Sequence, residues 1–159
     1  IMTLQLDFAA GKAFDMSYID ANGEKKTPFV IHRSSIGCYE RTLAMLIEKY
    51  AGAFPLWISP LQVKILSVTD RSIDYAQSLA DKLTYAGIRV ECDFRSEKIG
   101  RKIRDAQLEK IPYMLVLGDR EVENGSTVSV RERNGENYEM STDEFIAKIV
   151  FEDKNKVIK

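Results

Sequence analysis

Between Asp93 and Asp119 the chain reads DFRSEKIGRKIRDAQLEKIPYMLVLGD, and the start of this stretch sets Arg95, Lys98, Arg101, Lys102 and Arg104 around Gly100. Cations gathered at a helix start suit an anionic ligand, because the unpaired backbone N–H groups and the helix dipole already favour negative charge there. Gly100 costs about 1 kcal/mol of helix propensity relative to Ala. Such a cost makes sense where another body must come close to the backbone. A solvated basic helix face with a fortuitous glycine would give the same letters, and the pattern leaves both readings open.

Two more stretches carry chemistry-bearing types. In VIHRSSIGCYER, His32 ends an apolar strand, and Glu40 and Arg41 open the helix that follows. A guanidinium there can hold a phosphate or carboxylate through two parallel bonds; an internal salt bridge would serve Arg41 as well. A zinc site takes three or four ligands, and no companions for His32 stand out, so the pattern makes it a hydrogen-bonded strand histidine. In GDREVENGSTVSVRER, Glu121 follows a tight turn after an apolar strand, and Arg131 and Arg133 share one face of what reads as the final strand. Acceptor carboxylates and forked guanidiniums are the types that read base edges in single-stranded RNA. A surface hairpin with compensating charges would look the same.

Other candidates reduce to packing. Cys38 and Cys92 form no metal-type pair and no disulfide framework. They read as small buried apolar residues in a reducing compartment. Trp57, Tyr39, Tyr50 and Phe54 read as core or junction packing rather than a base-stacking platform. No Walker-type loop, dinucleotide fingerprint or Ser/His/Asp constellation can be assembled.

The elements that must position these residues follow from periodicity. Residues 1 to 8 alternate as a strand, with Leu4, Leu6 and Phe8 on one side. Two apolar-patterned runs around Asn22-Gly23 predict a hairpin. GCYERTLAMLIEKYAG predicts a helix with Leu43, Leu46, Ile47 and Tyr50 on one face and Gly52 at its end. Pro55 and Pro60 bracket a boundary. Beyond it strands and helices alternate. LQVKILSV is a strand, and DYAQSLADKLTYAG a helix burying Ala76, Leu79, Ala80, Leu83 and Ala86. IRVECDF is a strand pointing Ile88, Val90, Cys92 and Phe94 inward. Ser96 N-caps the next helix, which buries Ile99, Ile103 and Ala106. PYMLVLG is apolar on both faces and hence central. EVENGSTVSVRER predicts a hairpin closed near Asn124-Gly125, Ser141 to Glu144 form a capping box on the last helix, and KNKVIK is a frayed tail. Two βαβ crossovers followed by antiparallel strands imply an α/β fold with a mixed sheet and flanking helices.

Composition bounds the rest. At 159 residues, 45% hydrophobic and 30% charged, the chain holds one ordinary domain with a core and a smaller piece attached. A formal net charge of −1 means that any polyanionic partner must be met by a local patch, not by the whole-protein field. No apolar run approaches the roughly 20 residues of a membrane span, and no signal peptide opens the chain. IMTLQLDF begins in mid-strand, as a piece of a longer polypeptide would.

The segment IHRSSIGCYERTLAMLIEKYAGAFPLWISPLQV resembles the junction between the catalytic and anticodon-binding domains of class II aminoacyl-tRNA synthetases, in the wording of the threonyl-tRNA synthetase family. Its first half is similar to class II motif 3, a strand followed by a helix bearing G-x-x-E-R. RVECDFRSEKIGRKIRDAQLEKIPYMLVLGDREVENGSTVSVR continues the likeness, and LQLDF and FDMSYIDANGEKK resemble the strands before motif 3, so the resemblance spans nearly the whole chain. It implies a small α+β remnant of the catalytic domain over residues 1–54 and an anticodon-binding domain with a mixed five-stranded sheet over residues 55–159.

The same resemblance implies roles. Arg41 would hold ATP phosphate, His32 would be one of three zinc ligands that select threonine, and Gln5 would line that pocket. Arg95, Lys98, Arg101 and Lys102 would face the anticodon stem-loop of tRNA(Thr), with Gly100 letting the RNA come close. Glu121 and Arg131 would read bases, with Ser96 and Arg133 beside them. Ser96 stands where relatives carry Asn, and Cys38 where they often carry Ser or Thr; FAAGKAF also departs from the family wording. The implied parent is a cytoplasmic, homodimeric ligase that activates threonine with ATP. This piece, lacking motifs 1 and 2 and two zinc ligands, is expected to bind neither ATP nor zinc and to be inactive alone, with no membrane partner. Two rivals remain: a stand-alone tRNA-binding accessory module, and an unrelated small α/β enzyme built on Arg41, His32 and Glu40.

Overall fold

The computed structural model describes residues 3–158. Ile1 and Met2 of the strand expected over residues 1 to 8, and Lys159 of the expected tail, lie outside the described residues. The chain divides into two compact units, Ile1–Glu48 and Lys49–Lys159.

The first unit contains β1 (Thr3–Asp7), a single-turn α1 (Ala10–Ala13), β2 (Tyr18–Ile19), β3 (Lys25–Lys26) and β4 (Val30–Ser34), with most of α2 (Tyr39–Tyr50). β2 and β3 form the hairpin expected at Asn22-Gly23, where Gly23 takes the left-handed φ of 82°. The second run then breaks before Val30, and β4 pairs antiparallel with β1. Gly11 is the one fully buried residue among those described before Pro55. Leu4, Leu6, Phe8, Phe29 and Ile31 are all more than half exposed, and α2 buries none of its side chains. Tyr39, expected in packing, is exposed, as is Cys38.

The second unit is built around β5 (Val63–Ser67), α3 (Ile73–Tyr85), β6 (Val90–Asp93), α4 (Ile99–Leu108), β7 (Tyr113–Leu117), α5 (Asp119–Asn124), β8 (Thr127–Glu132), β9 (Asn137–Ser141) and α6 (Thr142–Lys154). The five-stranded sheet runs in the order β6-β5-β7-β8-β9, with β5 parallel to both neighbours and β8 and β9 antiparallel. Its two faces differ. Val63, Ile65, Tyr113, Leu115, Leu117, Val128 and Val130 meet Ala76, Leu79, Ala80 and Leu83 of α3 and Phe145 and Ile149 of α6 in the main core. On the other face Leu66, Met114 and Val116 pack with Ile99, Ile103 and Ala106 of α4. The helical faces of α3 and α4 and the central place of β7 are as their periodicity predicts. The capping box on α6 is present, with the Glu144 amide donating to Ser141 Oγ at 3.2 Å.

Four expectations are corrected. Residues 119–124 are a short helix, not a hairpin arm; Gly125, at φ 62°, ends that helix instead of turning a hairpin. The real hairpin joins β8 to β9 around Gly135, at φ 95°, so β8 is not the final strand and Arg133 lies beyond its end. Ser96 caps nothing: α4 starts at Ile99, with Lys98 in the N-cap place. Phe94, expected inward, is exposed at the end of β6.

Candidate nucleic-acid interface

The α4 face of the sheet is covered unevenly. Residues on alternate positions of β8 and β9 share this face: Met114 stands opposite Arg131, Val116 opposite Ser129, and these continue to Asn137 and Glu139 on β9. The α4 side chains cover the β5 and β7 part. Across β8 and β9 the residues on this face are polar; Thr127, Ser129 and Arg131 are partly buried, and Asn137 and Glu139 are exposed. One side of the mixed sheet thus ends in an open polar floor.

Arg131 lies on that floor. Its Nε is buried with no hydrogen-bond partner. A buried guanidinium N–H left unpaired is rare in folded proteins, because desolvating it without an acceptor costs about 1–3 kcal/mol. Arg133 is not its companion. Its Nη1 donates to the carbonyls of Phe54 at 2.9 Å and Lys110 at 3.2 Å, and burial pushes its pKa below the usual arginine value.

Glu121 stands where β7 gives way to α5. Its carboxylate Oε2 accepts the Gly118 amide at 2.8 Å, as the third residue of the helix reaching back to its cap. One carboxylate oxygen is thereby fixed in direction. Thr69, after β5, donates its hydroxyl to Asp119 Oδ1 at 2.9 Å, tying the C-terminal ends of β5 and β7.

The basic stretch sits at the C-terminal end of β6. Lys98, Gly100, Arg101 and Arg104 are exposed. Arg101 makes an i,i+4 pair with Glu97 at 3.1 Å, a surface pair of small energetic weight. A Cβ placed on Gly100 would meet nothing within 4 Å, so the rest of the chain does not demand a glycine there. The first turn of α4 carries no acidic residue and no side-chain cap, and the amides of Arg101 and Lys102 donate to the Lys98 carbonyl at 2.8 and 3.3 Å.

Arg95 and Lys102 differ from this group. Arg95 Nε lies 3.0 and 3.2 Å from the two oxygens of Asp93, and Nη2 donates to Asp93 Oδ2 at 2.7 Å and Asp105 Oδ2 at 2.9 Å. This guanidinium holds the Asp93 carboxyl below the usual aspartate range. Lys102, expected to face RNA, is 2% exposed. Its Nζ donates to the backbone oxygens of Ser67 at 2.9 Å and Asp93 at 3.1 Å. It points into the fold, where it satisfies buried strand-end oxygens alongside the Ser67 hydroxyl, which also donates to the Asp93 carbonyl at 3.1 Å.

The sites expected in the first unit are partly assembled. Gln5 and His32 are register partners across β1 and β4 and so stand side by side on one exposed face. His32 Nε2 lies 3.3 Å from Asp7 Oδ2. Asp7 also caps α1 by accepting the amides of Ala9 and Ala10, each at 2.8 Å, and these two donors hold its carboxyl below the usual range. Arg41 is exposed in the first turn of α2. Among the described residues no three His, Cys, Asp or Glu side chains come together to hold a metal; His32 alone does not make a zinc site. Cys92 packs against the core, and burial pushes its thiol up to about 11. No helix among the described residues is long and apolar enough to cross a membrane.

Sequence reasoning missed the open floor itself, including Ser129, Asn137 and Glu139. The alternation V-S-V-R, apolar residues inward and polar outward, was its signal.

Known proteins place these features in context. Residues 62–152 match the model of the anticodon binding domain family. A threonine–tRNA ligase of Clostridium botulinum (strain Eklund 17B / Type B) is 61% identical over 136 residues, 86% of this chain and 21% of that protein. One from Clostridium perfringens (strain SM101 / Type A) is 57% identical over 157 residues, 98% of this chain and 24% of that protein. The chain therefore spans about a fifth to a quarter of the length of the curated relatives it matches. A crystal structure of the RNA binding domain of threonyl-tRNA synthetase from Cryptosporidium parvum Iowa II is similar at a TM-score of 0.75 and 33% identity, over 93% of this chain and 38% of that one.

Proposed function

This chain belongs to the anticodon binding domain family, and from that premise we propose that its second unit recognises the anticodon stem-loop of tRNA(Thr) as part of a threonine–tRNA ligase. The observation that carries the reading is the polar sheet floor with a buried unpaired Arg131 Nε, together with the exposed cations Lys98, Arg101 and Arg104 at the start of α4. A nucleic-acid loop supplies what each lacks: phosphates for the cations, and base-edge acceptors for the guanidinium. Glu121, with one oxygen fixed by Gly118, offers the other to a base donor. The similarity to threonine–tRNA ligases over 98% of the chain supports the threonine-specific choice.

In the whole ligase, the first unit is the last part of the catalytic domain, the division between domains falling near residues 54 and 55. Arg41 holds an ATP phosphate there, and Gln5 and His32 face the threonine pocket, where His32 contributes a single zinc ligand. A zinc ion, when bound, would supply a Lewis acid for the threonine amine and hydroxyl. The ligase works in the cytoplasm as a homodimer, and this piece alone is inactive in ATP–pyrophosphate exchange.

Binding of the chain to tRNA(Thr) and to unrelated tRNAs across a salt series tests this. Lys98→Ala should weaken both and lower the salt slope by about 0.7–0.9 per phosphate lost. Glu121→Ala should narrow the gap between cognate and unrelated tRNA. An unchanged gap removes Glu121 from base reading, and equal binding of all tRNAs by the unaltered chain removes the anticodon reading altogether.

A further inference from the structure

Five cations crowd the start of α4 in the sequence, but the structure sorts them into two groups. Lys98, Arg101 and Arg104 are exposed. Arg95 and Lys102 belong to a network with Asp93 and Asp105, two bases and two acids whose formal charges cancel. The network joins three elements. Lys102 comes from α4 and reaches the last residue of β5 through Ser67 O and Ser67 Oγ, and the last residue of β6 through Asp93 O. Arg95 leaves β6, turns back on the Asp93 carboxylate, and reaches Asp105 on α4. Asp93 also accepts the Arg95 amide at 3.0 Å, which fixes the first step of the loop into α4.

We propose that Arg95 and Lys102 are positioning residues, which seat the start of α4 on the C-terminal ends of β5 and β6 and leave phosphate contact to the exposed cations beside them. Lys102 cannot reach a phosphate without leaving three acceptors behind. Arg95 is half exposed, but its Nε and Nη2 hydrogens are committed to two carboxylates. What the pair supplies to RNA is a fixed place for Lys98, Gly100 and Arg101, not charge. The proposal rests on the anticodon-binding reading above and divides its cations by role.

The discriminating measurement is the salt dependence of binding. The 159-residue chain is titrated with a tRNA(Thr) anticodon stem-loop by fluorescence anisotropy, from about 50 to about 200 mM salt. Lys98→Ala should flatten the slope by about 0.7–0.9. Lys102→Met should weaken binding by about tenfold and leave the slope unchanged. Asp105→Asn is the sharper variant, since it removes a negative charge beside RNA from a partly exposed position. Plain electrostatics predicts tighter binding; loss of the Arg95 anchor predicts weaker binding, by a few-fold.

A slope flattened by Lys102→Met as much as by Lys98→Ala overturns the proposal, as does tighter binding by Asp105→Asn. Amide exchange without RNA keeps the test independent of the function. In both variants the amides of Arg101 and Lys102, which donate to the Lys98 carbonyl, should exchange about tenfold faster than in the unaltered chain, and unchanged exchange refutes the positioning role. If the unaltered chain binds no RNA at any salt, the anticodon reading fails, while the exchange result still decides whether the network holds α4.

Discussion

The two units solve the same packing problem with opposite results. In the second, every strand turns an apolar face to helices, and Val63, Ile65, Leu115, Leu117, Val128 and Val130 are sealed from water. In the first, β1 and β4 also carry apolar side chains, yet Leu4, Leu6 and Ile31 remain exposed. A two-stranded ladder has nothing to pack on, and such a pair is marginal by itself in water. The apolar strand letters are similar; what differs is whether a covering element lies within the same stretch of chain. An alternating pattern specifies that a face is to be buried and does not supply the layer that buries it.

The largest expected effects lie in the sealed unit. Phe145→Ala removes a fully buried ring that meets Tyr113 edge-on at 5.7 Å, and should cost about 3–5 kcal/mol in urea unfolding. A loss no larger than that of a surface substitution would break the contrast. Next comes Tyr113→Phe, which takes from Glu152 a buried donor at 2.8 Å. About 1–3 kcal/mol is expected, read from the same unfolding curves.

The third test is acid titration. The Asp93 carboxyl is held below its usual range by Arg95. A carboxyl with a depressed folded pKa stabilises the fold above its unfolded value of about 3.9 and loses that contribution as pH falls through the lower folded value. The start of α4 should therefore hold at pH 5 to 7 (roughly) and loosen below about 4, seen as faster proteolysis or amide exchange of residues 95–101. Replacing Asp93 with Asn should abolish that acid-side change.

Gly100→Ala should raise stability by up to about 1 kcal/mol, because a Cβ there meets nothing, while weakening RNA binding. Improved stability with unchanged RNA affinity would mean that no partner approaches the glycine. The smallest effect is expected in the open unit. Leu6→Thr and Ile31→Thr, both at exposed positions, should shift unfolding by under about 0.5 kcal/mol and reduce self-association measured by light scattering.

The contrast also explains what the letters conveyed. Regular amphipathic spacing transferred well: α3 buries Ala76, Leu79, Ala80 and Leu83 as its 3.6-residue period requires, and β7 is the buried strand its two apolar faces demand. Punctuation transferred less well. Asn124-Gly125 and Asn134-Gly135 are chemically the same pair, yet the first ends a helix and the second turns a hairpin. Left-handed glycine serves both, and only long-range pairing of β8 with β7 and β9 decides between them. Site residues were legible by type and not by commitment. Lys102 and Lys98 look alike in sequence, but one satisfies strand-end carbonyls and the other faces solvent. Arg131 and Arg133, two apart, share one face of a strand by alternation, but the end of β8 separates them, and Arg133 turns to backbone oxygens.

That Arg133 contact has a kinetic side. It fastens the carbonyl of Phe54 across 79 positions of sequence and that of Lys110 across 23. A clasp spanning so long a loop gains nothing until the intervening strands have already docked, since closing the loop early would carry its full entropic penalty. Such a latch is expected to close late, so that Arg133→Ala should speed unfolding more than it slows folding.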